Sequence, residues 1–94
     1  MAVKISFPAA LKSVRRGRGL SQEDFSDVSS RTYVSSLERG LQSPTLNKVA
    51  ELSEVMEVHP LTLLTLAYAG KGGTKKLIAR VQRELAVIDP EQTE

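Results

Sequence analysis

Apolar positions along this chain recur at helical spacing, and a series of short helices with clear stops follows from them. The first is predicted over 7–18. Ala10, Leu11 and Val14 form its inner stripe, while Lys12, Arg15 and Arg16 lie off it. Ser6 is a candidate cap, and Pro8 sits in the first turn, where a missing N–H costs nothing. Gly17 and Gly19 end the helix. A second, shorter helix is predicted over 22–28. Ser21 with Asp24 reads as a capping box, and Phe25 and Val28 supply apolar contacts beside Leu20. Ser29 and Ser30 then break this helix and cap the next. The third helix, 31–39, has only Val34 and Leu37 to bury before Gly40 stops it. So few buried contacts cannot hold a short helix alone, so its neighbours must.

A fourth helix is predicted over 45–56, with Leu46, Val49, Ala50 and Leu52 as a wide apolar face. The fifth, 60–68, carries Leu61, Leu63, Leu64 and Leu66 nearly all round and is expected to be the most buried element. Gly70, Gly72 and Gly73 form a joint. The sixth helix, 74–88, ends before Pro90 and carries a seam of Leu77, Ile78, Val81, Leu85 and Ile88. The one alternating stretch, Ala2 to Phe7 with Val3, Ile5 and Phe7 on one side, is expected to be a short arm, and the residues from Glu91 on a disordered tail. The fold class is therefore all-α. Residues 1–69 form a helical domain, and residues 70–94 hold the glycine joint, the last helix and the tail.

Composition narrows the class. Ninety-four residues hold one domain, whose stability margin is thin. Aromatics are only 4% of the chain, so the core is built from aliphatic side chains, as helix-on-helix packing allows. The absence of cysteine excludes disulfides and Cys-ligated metal sites. Pro8 interrupts the early apolar pieces, and the stretch from Leu61 to Ala69 is too short to cross a bilayer. The expectation is a cytoplasmic protein with no signal peptide and no membrane partner.

The net charge of +2 decides little, but its distribution matters more. No acid occurs before Gln22, where Lys4, Lys12, Arg15, Arg16 and Arg18 cluster, and none from Lys71 to Arg83, which includes Lys75, Lys76 and Arg80. Two basic blocks around a mixed centre point to an anionic partner. A short capped helix, a serine turn and a second short helix with a polar outer face make a helix-turn-helix, whose second helix is narrow and polar enough for the major groove. Nothing supports an enzyme. The only histidine, His59, precedes Pro60 at a helix start and reads as a cap. Glu23 with Asp24, and Glu51 with Glu54, read as solvated or dipole-favouring acids. No cofactor and no metal is expected.

Three ordered stretches carry a resemblance: LSQEDF from Leu20 to Phe25, RTYVSSLERG from Arg31 to Gly40, and SPTLNKVAEL from Ser43 to Leu52. They resemble the Xre family of helix-turn-helix regulators, the lambda repressor/Cro type. HPLTLL from His59 to Leu64 is similar to that family's fifth helix. The resemblance implies a five-helix lambda-repressor-like domain, here with an additional C-terminal helix, that binds operator DNA as a dimer. One departure is visible. Between Phe25 and Tyr33 the chain is shorter than the family pattern and lacks the usual turn glycine.

The resemblance implies roles as well. Arg31, Thr32 and Ser36 are expected to contact bases, Arg31 through a two-pronged contact with guanine. Gln22, Tyr33, Ser35, Arg39, Ser43 and Lys48 are expected at the DNA backbone, with the N–H groups of Gly40 to Ser43 clamping a phosphate. Arg16 and Arg18 add diffuse attraction. Arg15 and Glu38 fall where the family commonly holds an internal ion pair. The seam of the last helix is the candidate homodimer contact, or folds back on its own domain. The expected function is a sequence-specific double-stranded DNA regulator, a repressor acting on a palindromic operator. The alternative is a protein-interaction module of the same fold, antitoxin-like, with a protein partner the sequence does not name.

Overall fold

A computed structural model describes residues 6–70, 72–89 and 91. Five α-helices and one 3-10 turn make up the fold: α1 (Phe7–Gly17), the 3-10 turn (Gln22–Phe25), α2 (Arg31–Glu38), α3 (Leu46–Val55), α4 (Pro60–Ala69) and α5 (Thr74–Ile88). The described residues contain no strand, and the class is all-α. Most of the expected arm, together with Lys71, Pro90 and the last residues of the expected tail, lies outside the described residues.

Helix α1 packs mainly on α4 and also on α2, α3 packs on α4 and on the 3-10 turn, and α5 packs on α4. The core follows from these pairings. Leu11, Phe25, Val34, Leu37, Leu52, Met56 and Leu63 are fully buried, and Ala67 completes the α1–α4 contact. Entry to α1 is tied down by the Ser6 N–H, which donates to the Ala67 carbonyl at 2.9 Å. The Ser6 side chain itself caps nothing.

Three helix ends share one closure. After α1, the Gly19 N–H donates to the Arg16 carbonyl and the Leu20 N–H to the Arg15 carbonyl, both at 3.0 Å. After α2, Gly40 donates to Leu37 at 3.2 Å and Leu41 to Ser36 at 2.9 Å. After α3, Glu57 donates to Glu54 and Val58 to Ser53, both at 3.0 Å. The closure needs a left-handed residue at its hinge. Gly19 (φ 73°) and Gly40 (φ 76°) adopt it without a Cβ clash, whereas Glu57 (φ 59°) is the described non-glycine residue held there.

The structure corrects several expectations. The second helix is one 3-10 turn ending at Phe25, not a helix to Val28. Tighter winding carries the chain past Phe25 in fewer residues, which accommodates the short connection. In α3 the inward face is Val49, Leu52, Ser53 and Met56. Leu46 is 79% exposed and Ala50 is also exposed. Helix α4 is not buried all round: only Leu63 and Ala67 are buried, while Leu61 is 62% exposed. The reason is α5, which has no buried residue and does not cover the outer side of α4. An open groove of about 680 Å³ remains between them, lined by Leu61, Leu66, Leu77, Ile78 and Val81 among others.

Candidate nucleic-acid interface

Ser30 fixes where α2 begins. Its Oγ accepts from the Tyr33 N–H at 3.1 Å, satisfying one of the free N–H groups of the first turn. Val34 and Leu37 anchor the helix to the core. At about 100° per residue, Thr32, Ser35 and Arg39 share one outer stripe, with Arg31 at its edge. Arg31, Thr32 and Arg39 are exposed and Ser35 is half-buried. Ser36 departs from expectation. It is 8% exposed and lies on the packed side, so it has almost no surface to offer a base. Its neighbour Ser35 occupies the outer stripe instead.

Behind this face lies a polar network. Arg15 Nε donates to Glu38 Oε2 at 2.6 Å, and Arg15 Nη2 donates to Glu38 Oε1 at 3.0 Å. The remaining prong, Nη1, donates to the Leu20 carbonyl at 2.8 Å. Gln22 Nε2 also donates to Glu38 Oε1, at 3.1 Å. One carboxylate thus joins α1, the 3-10 turn and α2. The side chains of Arg15 and Glu38 are 10% and 5% exposed. Burial pushes the Glu38 carboxyl upward, but hydrogen bonds from Arg15 and Gln22, with the charges of Arg15 and Lys12, outweigh it and hold the pKa below the ordinary value. The hydrogen bond to Glu38 raises Arg15 in turn, against burial and with the help of the Glu38 charge.

Other site residues have acquired partners that sequence reasoning missed. Arg31 Nη1 lies 3.3 Å from Glu23 Oε1, an exposed pair in which Glu23 had read as a solvated acid. Such a pair contributes about 0–1 kcal/mol and opens readily. Lys48 Nζ donates to the Val28 carbonyl at 2.6 Å and lies 2.8 Å from Glu51 Oε1. It also sits 5.8 Å from the centre of the Tyr33 ring. Lys48, expected at a phosphate, is thus occupied within the domain. Arg18, expected to add diffuse attraction, donates from Nε to the Met56 carbonyl at 2.9 Å, favourably placed at the end of α3. The N–H groups of Gly40 and Leu41 close α2, so the expected Gly40-to-Ser43 clamp keeps only Gln42 and Ser43. His59 caps α4, its Nδ1 accepting from the Leu61 N–H at 3.0 Å.

The Lys48–Val28, Arg18–Met56 and Arg31–Glu23 contacts join different segments of the chain, so no local pattern could have found them, whereas Lys48–Glu51 is an i,i+3 pair within α3 and the His59 cap was expected. The described residues include no group of side chains able to hold a metal ion, and no helix long and apolar enough to cross a membrane.

Two short elements packed through a shared carboxylate, the second with a polar outer face, define a helix-turn-helix domain. The family model described as helix-turn-helix matches residues 11–63, more than half of the chain. The chain belongs to this family of Xre-type DNA-binding regulators. No curated protein and no solved structure matches it.

Proposed function

We propose that this chain is a sequence-specific repressor that inserts α2 into the major groove of double-stranded DNA as a homodimer on a palindromic operator. The observation that carries the reading is the outer stripe of α2: Arg31, Thr32, Ser35 and Arg39 face outward on a helix locked from behind by Val34, Leu37 and Glu38. A helix this rigidly backed presents its polar tips at fixed positions, as base reading requires. Arg31 and Thr32 contact bases, and Ser35 replaces the buried Ser36. Arg31 leaves Glu23 to do so, at little cost.

Gln22 contributes its second amide hydrogen to a phosphate at the start of the 3-10 turn. Tyr33, Arg39, Ser43 and the free N–H groups after Leu41 hold the backbone further along, positioning the protein without reading sequence. Dimerisation uses the α5 seam. Ile78, Val81 and Leu85 are 43–48% exposed and Ile88 is 77% exposed, although they form an apolar row with Leu77. A palindromic operator asks for two recognition helices about 34 Å apart, one turn of DNA, and a second copy covering this row would supply the second helix. Repression follows from dimer occupancy of the operator, in the cytoplasm.

The apolar groove between α4 and α5 favours one other reading, an antitoxin-like module whose groove takes a protein partner. In vitro selection of bound DNA, followed by titration across salt, separates the two. A repressor enriches an inverted repeat, with affinity falling steeply as salt rises. An interaction module enriches no sequence, and Arg31→Ala leaves its activity intact.

A further inference from the structure

We propose that Lys48 sets the tilt of the recognition helix, as a positioning residue for sequence preference and not as a phosphate contact. The inference rests on the DNA-binding reading above and assigns Lys48 a role within it. The connection it serves is short and lacks glycine. After the 3-10 turn, the N–H groups of Val28 and Ser29 both donate to the Phe25 carbonyl at 2.9 Å, curling the chain tightly before the Ser30 cap. No left-handed glycine is available to set the angle at which the chain leaves this curl. An outside tie supplies the constraint. Lys48 reaches from α3 and donates to the Val28 carbonyl at 2.6 Å, a charge-assisted bond shorter than the usual N–H···O distance.

The same ammonium meets the recognition helix itself. It lies 5.8 Å from the centre of the Tyr33 ring, within reach of a cation–π attraction, and Tyr33 stands in the first turn of α2. Glu51, one turn along α3, also holds the ammonium, at 2.8 Å. The base of the side chain is fixed too, since the Lys48 N–H donates to Thr45 Oγ1 at 3.1 Å as part of the α3 cap. One cation therefore touches a carbonyl in the middle of the connection, the ring in the first turn of the recognition helix, and a carboxylate on its own helix. A lysine serving a phosphate needs a free head on a mobile stem. This side chain is only 23% exposed, and the carbonyl and carboxylate engage two of its three donors. A small change in helix tilt moves the tips of Arg31 and Thr32 relative to base edges, so loss of the tie changes which bases are read.

The test uses Lys48→Met, which keeps the stem and removes the donor, and Lys48→Arg, which retains a donor. Selected DNA sequences, affinity and its salt dependence are compared with wild type. The expected result for Lys48→Met is a loss of about tenfold at the wild-type site and a changed or relaxed sequence preference, with the salt slope unchanged and partial recovery in Lys48→Arg. A slope reduced by about 1 with sequence preference intact would instead make Lys48 a phosphate contact and overturn the proposal. A second readout needs no DNA: backbone amide NMR shifts of each variant. Shifts at Val28 to Tyr33 should move while those at Leu11 and Leu63 stay, and unmoved shifts at Val28 to Tyr33 overturn the proposal. If wild type itself selects no DNA sequence, the DNA-binding reading fails and the NMR comparison alone decides whether Lys48 positions α2. If Lys48→Met does not fold, Lys48→Leu, which is uncharged and carries no donor, takes its place in both measurements.

Discussion

Arg15 and Glu38, on helices α1 and α2, meet in a two-pronged ion pair at 2.6 and 3.0 Å with both side chains nearly out of water. Neither charge has another opposite charge at salt-bridge distance among the described residues. Truncating one side strands the other in a poorly solvated place. Arg15→Ala is therefore expected to lose about 3–5 kcal/mol, read as a drop in the urea midpoint. Wild-type stability in this variant would show that the pair is solvated and structurally idle.

The same pair makes stability depend on acid. The folded pKa of Glu38 lies below its ordinary value, so the folded state binds fewer protons than the unfolded chain through that window. Its contribution is complete above the unfolded carboxylate value and is lost as pH falls through the depressed folded value. Glu38→Gln removes this titration. Its unfolding free energy, followed by urea titration at successive pH values, is expected to fall less steeply on acidification than that of wild type.

Ser53 is fully buried in α3, and its hydroxyl has no hydrogen-bond partner. Burying an unpaired hydroxyl costs about 1–3 kcal/mol, whereas alanine leaves only a small gap and is the better helix former. Ser53→Ala is expected to raise stability by about 1 kcal/mol, seen as a higher Tm. A lower Tm would mean that the hydroxyl holds a bond, for instance to a buried water.

Glu57 carries the left-handed hinge that glycine carries after α1 and α2. An L-residue there costs about 1–2 kcal/mol, part of which glycine returns through its greater unfolded-state freedom. The Arg18–Glu57 pair lost in the exchange is exposed, its side chains 46% and 80% accessible, and contributes little. Glu57→Gly is expected to stabilise by a few tenths to about 1 kcal/mol, measured by thermal unfolding.

Much of the fold was legible because its punctuation is local. Ser30 caps α2, Gly40 closes it, and Pro60 opens α4, each through chemistry a few residues long. The 3-10 turn was over-extended because Ser21, Asp24 and Phe25 would begin an α-helix in the same way, and only the packing beyond Phe25 tells the two apart. Helix α4 was misjudged for the opposite reason. Apolar residues on every side leave no periodic signal for which face a neighbour covers, and α5 leaves Leu61 largely open. Ser35 and Ser36 differ by one step around the helix, so the choice between them depends on helix rotation, which α1 and the core decide. Of the partners of Lys48, Glu51 lies one turn along the same helix, but Val28 and Tyr33 lie on other segments and no local spacing encodes them.

The central claim is that the outer stripe of α2 reads DNA sequence, and parallel in vitro selection with wild type and Arg31→Ala tests it most directly. Wild type should enrich an inverted repeat. Arg31→Ala, whose exposed side chain supports no packing, should keep the wild-type Tm and lose about 1–3 kcal/mol of discrimination at one position in each half-site. Enrichment of no sequence by wild type, or the same preference at every position in both proteins, would contradict it.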